Sequence, residues 1–130
     1  MTRARIWITR TEPGAAETAA AVTAMGHEPV VAPLLSIQPV AQPMPDLADV
    51  AGLVFTSRNG VAAFEALLVA TDRDQRARAL GKPVFAVGHA TAQAAREAGF
   101  GAVRSAGGDL LDLARLIRTV WTDPAGVLLH

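Results

Sequence analysis

Four prolines, Pro33, Pro39, Pro43 and Pro45, fall within thirteen consecutive positions of this chain. Each fixes φ and removes a backbone donor, so the stretch can be neither helix nor central strand. Residues 33–45 therefore read as an extended linker. The 130-residue chain divides into a short part, 1–32, and a longer one, 46–130.

Both parts show the same grammar, an apolar run followed by a helical segment. Ile6-Trp7-Ile8 is strand-like. Thr11-Glu12-Pro13 supplies a capping hydroxyl, an acid and a first-turn proline. Ala15, Ala19, Val22 and Met25 recur at helical spacing until Gly26 stops the helix, and His27–Ala32 reads as a second strand. Beyond the linker, Gly52–Ser57 is a buried strand ending in hydroxyls, backed by the stripe Val61, Phe64, Leu67 and Leu68. Thr71–Arg78 is charged, a solvated helix or loop. Pro83–Gly88 is a strand followed by a helix over His89–Ala98, and Ala102–Ser105 is a short strand. Leu110, Leu113, Ala114, Ile117 and Val120 mark the face of another helix. A turn at Asp123-Pro124-Ala125-Gly126 precedes a last strand, Val127–His130. Strands that alternate with helices need crossover connections, so the expected class is α/β with parallel sheets.

Composition narrows the function. Half the residues are apolar (51%), which argues against disorder, and the formal net charge of zero removes the phosphate-neutralising excess of a nucleic-acid binder. With no Cys there are no disulfides, thiolate metal sites or Cys nucleophiles. His27 and His130 have no neighbouring ligand set, so no metal is expected. No apolar run reaches the roughly 18 residues of a spanning helix, and the start breaks too soon for a signal peptide. The expectation is a soluble, cytoplasmic protein. Eleven of the twelve basic residues are Arg and alanine is abundant, the mark of a GC-rich bacterial genome.

Ligands of open α/β sheets lie beyond the carboxyl ends of the strands, near helix N-termini. Four loops occupy that position: Thr9-Arg10-Thr11-Glu12, Thr56-Ser57-Arg58-Asn59-Gly60, Gly88-His89-Ala90-Thr91 and Ser105–Asp109. All are small, polar or glycine-rich, which suits an anion. Arg10, Arg58 and His89 add donors for carboxylate or phosphate. Capping alone accounts for Thr11, Ser57 and Asp109, and Gly107-Gly108 reads as a loop needing positive φ. Arg58 and Asn59 have no such structural duty. A Gly-x-Ser-x-Gly elbow, a Gly-x-Gly-x-x-Gly turn, a Walker loop and a placed acid pair are all missing.

Taken in order, four segments resemble the uroporphyrinogen-III synthase family: Ile8-Thr9-Arg10, Pro33-Leu34-Leu35, Leu53-Val54-Phe55-Thr56-Ser57-Arg58-Asn59-Gly60-Val61 and Val87-Gly88-His89-Ala90-Thr91-Ala92. Gly107–Leu111 and Gly126-Val127-Leu128-Leu129 fit as well. The resemblance implies two flavodoxin-like domains joined by a linker, the chain leaving the first, building the second and returning. It implies closure of the linear tetrapyrrole hydroxymethylbilane with loss of water and inversion of the last ring. The path implied is an azafulvene cation and a spiro intermediate, without metal or organic cofactor. Substrate contacts implied by the match are Arg10, Thr56, Ser57, Asn59 and Thr91, with Gly88, His89 and Ala90 through backbone. Arg58 sits at a position that varies in the family.

The departures set further expectations. The resemblance assigns the best-placed acid to a tyrosine, and this chain has none. The return to the first domain is also missing, so the chain is expected to be truncated and inactive as a monomer. Burying the apolar face of 6–32 then needs a partner, a swapped homodimer or the absent segment. A non-catalytic α/β binding or interaction module for an anionic small molecule is the alternative, and a flavin protein a distant third. Neither nucleic acid nor membrane is an expected partner.

Overall fold

The computed structural model describes residues 2–122 and 125–130. Asp123 and Pro124, half of the turn expected before the last strand, lie outside the described residues. The chain forms two compact units, Met1–Val40 and Ala41–His130. The elements are parallel strands with helices between them, an α/β fold of flavodoxin-like type.

In the first unit β1 (Arg5–Ile8), α1 (Gly14–Ala24) and β2 (Glu28–Val31) make a single βαβ turn. The strands pair in parallel, Ile6 opposite Pro29 and Ile8 opposite Val31. Ile8, Ala15 and Val22 form the buried centre, with Ile6 and Ala19 packed beside them. Met25, expected on the inner face, caps the helix and stands exposed. Thr11 does not cap with its hydroxyl. Its carbonyl accepts from Ala15, while the Glu12 carboxylate takes the Ala16 N–H at 3.0 Å. An acid at a helix N-terminus is favoured by the local dipole, and the longer Glu side chain reaches one turn further in. Trp7 lies on the uncovered face, 69% exposed.

Between Ala32 and Asp49 the chain is neither helix nor strand. The proline-rich stretch is nonetheless held at several points. The Leu34 N–H donates to the Thr9 carbonyl, and Met44 and Leu47 pack against the core of the second unit. The boundary between units falls within the stretch, at Val40/Ala41.

The second unit contains β3 (Val50–Phe55), α2 (Arg58–Val69), α3 (Arg73–Leu80), β4 (Val84–Ala86), α4 (His89–Glu97), β5 (Val103–Ser105), α5 (Leu110–Val120) and β6 (Val127–Leu129). Its sheet has the order β5-β4-β3-β6, all parallel. From β3 the chain steps outward to β4 and β5, then crosses back to place β6 on the other side of β3. With right-handed crossovers, α2 and α4 cover one face and α5 the other. The strand side chains agree. Val84 joins the core with Phe55, Phe64, Leu68 and Phe100, whereas Phe85 points away and meets Trp121 edge-on at 6.0 Å. Phe55, Phe64 and Phe100 pack with ring centroids 5.8–6.2 Å apart, an aromatic centre under α2 and α4.

The charged segment after Thr71 is the solvated helix α3, capped by Asp72 and touching the core through Ala79. The face expected for α5 is only partly used. Leu113 is buried and Ile117 half-buried, while Leu110, Leu111 and Ala114 are exposed, because α5 is the one described helix on its side of the sheet. No helix among the described residues is long and apolar enough to cross a membrane.

Candidate site at the carboxyl edge of the second sheet

Parallel strands end together, so their following loops line up along one edge. In order these are Ser105–Asp109 after β5, Val87–Ala90 after β4, Thr56–Gly60 after β3 and His130 after β6. Backbone bonds tie them together. The Val87 N–H donates to the Phe55 carbonyl at 3.1 Å, and the Gly108 N–H to the Val87 carbonyl at 3.2 Å.

Ser57 is extended and caps α2, its Oγ accepting from the Gly60 N–H at 3.1 Å. A hydroxyl can accept and donate together, so its own proton is free to point outward. Thr56 Oγ1 lies 3.2 Å from His130 Nε2. Arg58 and Asn59 form the first turn of α2 and are half-buried.

Three helix N-termini reach this edge, and they differ in electrostatic character. That of α5 is occupied by carboxylates. Asp109 accepts from Leu111 and Asp112 at 2.8 and 3.1 Å, Asp112 accepts from the Asp109 N–H, and Arg115 pairs with Asp112 at 3.0 Å. That of α2 has the neutral Ser57. The N-terminus of α4 starts at Gly88 with no side-chain cap. Its first-turn amides have no intrahelical acceptor, and such groups attract anions. His89 is exposed there, with its ring against the β5 loop. A Cβ on Gly107 would lie 3.3 Å from His89 Nε2.

Of the nine residues expected at the site, eight stand at this edge: Thr56, Ser57, Arg58, Asn59, Gly88, His89, Ala90 and Thr91. Thr91 is turned inward and only 6% exposed, since the third residue of α4 faces the sheet. Arg10 belongs to the first unit. Its guanidinium lies over Gly14 and donates to Thr18 Oγ1 at 3.3 Å. Sequence reasoning did not include His130. It stands where Thr56 does, a polar residue directly after an apolar strand, and that position alone would have marked it.

A crevice of about 260 Å³ opens beside this edge, between α2 and the β3/β6 pair. Its walls are Phe55, Phe64 and Leu67, with Gln42 and Pro45 across from them and Thr56, Ser57 and His130 at the rim. A second, polar hollow of about 300 Å³ lies between Met44–Ala48 and α3, lined in part by Asp46, Gln75 and Arg78.

The family model described as uroporphyrinogen-III synthase HemD matches residues 16–130. Comparison with curated proteins finds no match.

Proposed function

The chain belongs to the uroporphyrinogen-III synthase HemD family, and on that premise we propose that it holds hydroxymethylbilane for ring closure to uroporphyrinogen III, in a bacterial cytoplasm. The observation that carries the reading is the row of loops at one sheet edge, with the uncapped N-terminus of α4 at its middle. A linear tetrapyrrole polycarboxylate needs many anion contacts spread over a wide surface. Backbone amides at helix ends and neutral hydroxyls supply them without locking the substrate by strong ion pairs.

In this reading Gly88, His89 and Ala90 bind one carboxylate through the amides of α4. Ser57 and Asn59, at the start of α2, bind a second, with Thr56 and Arg58 beside them. Arg10 offers its guanidinium from the first unit. Thr91 acts from beneath, packing α4 so that its amides face outward. Ring closure requires loss of the terminal hydroxyl as water to leave the azafulvene cation, then closure through the spiro intermediate that inverts the last pyrrole. The protein's part is to favour the folded-back substrate over the extended one. The chain has no tyrosine to donate the proton that leaves with the hydroxyl. Residues 1–130 alone are therefore expected to bind hydroxymethylbilane without closing it, and to complete the apolar face of β1 and β2 by pairing with a second copy.

The test is incubation of residues 1–130 with hydroxymethylbilane, scoring the type III product against the type I isomer that closes unaided. Binding seen by calorimetry with only type I product supports the proposal. Type III product at a rate usual for an enzyme overturns the binding-only part, and absence of binding overturns the whole reading. The alternative is a non-catalytic module for a different anionic small molecule. It predicts that a simple dicarboxylate competes as well as the tetrapyrrole does.

A further inference from the structure

The chain order reverses between β3 and β6, since β4 and β5 extend to one side of β3 and β6 lies on the other. Crevices at such a reversal, beyond the carboxyl ends of the strands, are where open α/β sheets bind ligands. The 260 Å³ crevice opens beside that place, at Thr56, Ser57 and His130, and runs from there along β3 and β6 under α2, past Leu53, Phe64, Leu67 and Leu129. Its walls and its rim have opposite chemistry. Phe55 and Phe64 meet edge-on inside it, with centroids 5.8 Å apart. At the rim stand Thr56 Oγ1 and His130 Nε2, 3.2 Å apart, and the hydroxyl of Ser57 at the positive end of α2. No acidic side chain is among the described residues that line it.

We propose that this crevice seats one five-membered aromatic ring bearing a carboxylate arm, the ring against Phe55 and Phe64 and the carboxylate at Thr56 and His130. The volume suits one ring and one short arm, being at or below the small end of ligand pockets. Aromatic walls favour a flat ring over a flexible chain. Thr56 and His130 share one hydrogen bond, which leaves the pair one further donor beside the Ser57 hydroxyl. No acidic side chain among the described lining residues competes for them, so an anion is favoured there. That the ring is a pyrrole of the tetrapyrrole rests on the function proposed above; the seat itself rests on the crevice alone. His130 is then a binding residue that fixes which end of the ring enters.

The experiment is an NMR titration of residues 1–130, amidated at the C-terminus so that His130 bears no carboxylate of its own, with pyrrole-3-acetate, and with pyrrole and acetate separately. Amide shifts are expected at Thr56, Ser57, Ala63 and Leu67, with pyrrole-3-acetate bound about fivefold more tightly than pyrrole. His130→Ala is expected to remove that preference while pyrrole still binds. Ala63 lies on an exposed part of α2 that lines the crevice. Ala63→Trp fills the space from the exposed side of α2, removing no core side chain, and should weaken both aromatic probes at least about tenfold in a protein that still melts cooperatively. Shifts confined to other residues, or an Ala63→Trp variant that binds as before, overturn the seat. Loss of neither affinity nor preference in His130→Ala overturns the carboxylate assignment. Competition separates the two readings. Pyrrole-3-acetate bound in the crevice but not displaced by hydroxymethylbilane keeps the seat and rejects the tetrapyrrole as its occupant. Hydroxymethylbilane bound without shifts in the crevice keeps the proposed function and rejects the crevice as the place of its ring.

Discussion

Gly52 faces Leu128 across the β3/β6 pair with no space for a side chain between them. A Cβ on Gly52 would stand 2.9 Å from Leu128 Cδ2 and 3.2 Å from the Pro83 carbonyl oxygen. The leucine can rotate, but the carbonyl belongs to the backbone that begins β4 and cannot. Gly52→Ala should therefore lose about 1–2 kcal/mol despite the smaller entropy of the unfolded chain. Urea unfolding of the second unit measures it, and a neutral or stabilising result would show that β4 shifts freely.

Ser57 caps α2, and the proposed function gives it a second role as a ligand donor. As a cap, Ser57→Ala should cost about 1 kcal/mol and Ser57→Gly only a few tenths. As a donor at the rim, both changes should weaken binding of hydroxymethylbilane equally. Paired urea melts and calorimetric titrations give the two readouts independently. Equal stability of the two variants would remove the capping role.

Gly107 has φ +70° and sits against the His89 ring. An L side chain there is strained and crowds the imidazole, so Gly107→Ala should destabilise by about 1–2 kcal/mol. Gly107→Asn tolerates the dihedral better and should cost less in strain, while still moving His89. Its expected signature is a displaced His89 side-chain resonance in a protein that still folds.

Leu53, Val61, Leu68 and Val84 are the largest fully buried side chains. Leu68→Ala removes the end of the α2 stripe and leaves a cavity, at a cost of about 2–5 kcal/mol. Leu110→Ala on the exposed start of α5 should fall within about 0.5 kcal/mol of the parent. Comparable losses at both positions in chemical denaturation would mean that α5 is covered in solution.

Among the described residues of the first unit three side chains are buried in its core, Ile8, Ala15 and Val22, and the unit's sheet has two strands. Two-stranded sheets are marginal by themselves. Amides of β1 and β2 should exchange with deuterium well before those of β3 and β4. Equal protection in both units, read by mass spectrometry at low protein concentration, would contradict this.

Most of the strands and helices could be read from residue order because each apolar run is bounded by a cap or a glycine. Ser57 and Asp109 are caps in the sequence and caps in the structure. What could not be read depends on contacts distant in sequence. The Thr56–His130 pair spans 74 positions and has no local signal. The stripe on α5 shows which face is apolar but not how much sheet lies beneath it. Thr91 entered as a contact through the family resemblance; α4 begins at His89 as the sequence implies, and helical rotation carries its third residue inward against the sheet. Met44 and Leu47 were hidden by their prolines. A segment that cannot form a ladder can still place single side chains into a core.

Pro29 lies inside β2, opposite Ile6. The N–H groups of Glu28 and Ala32 point toward β1, donating to Ala4 and Ile8. Alternation then turns position 29 to the outer side, and there the strand has no hydrogen to offer. The two margins of the small sheet are therefore unequal. One can hold a complete ladder, and the other is interrupted at the first of its two outward rungs, positions 29 and 31. Natural sheets use such interruptions to discourage chance pairing between molecules. In this unit a single imino acid makes the sheet one-sided for strand addition, with β2 the closed side and β1 the open one.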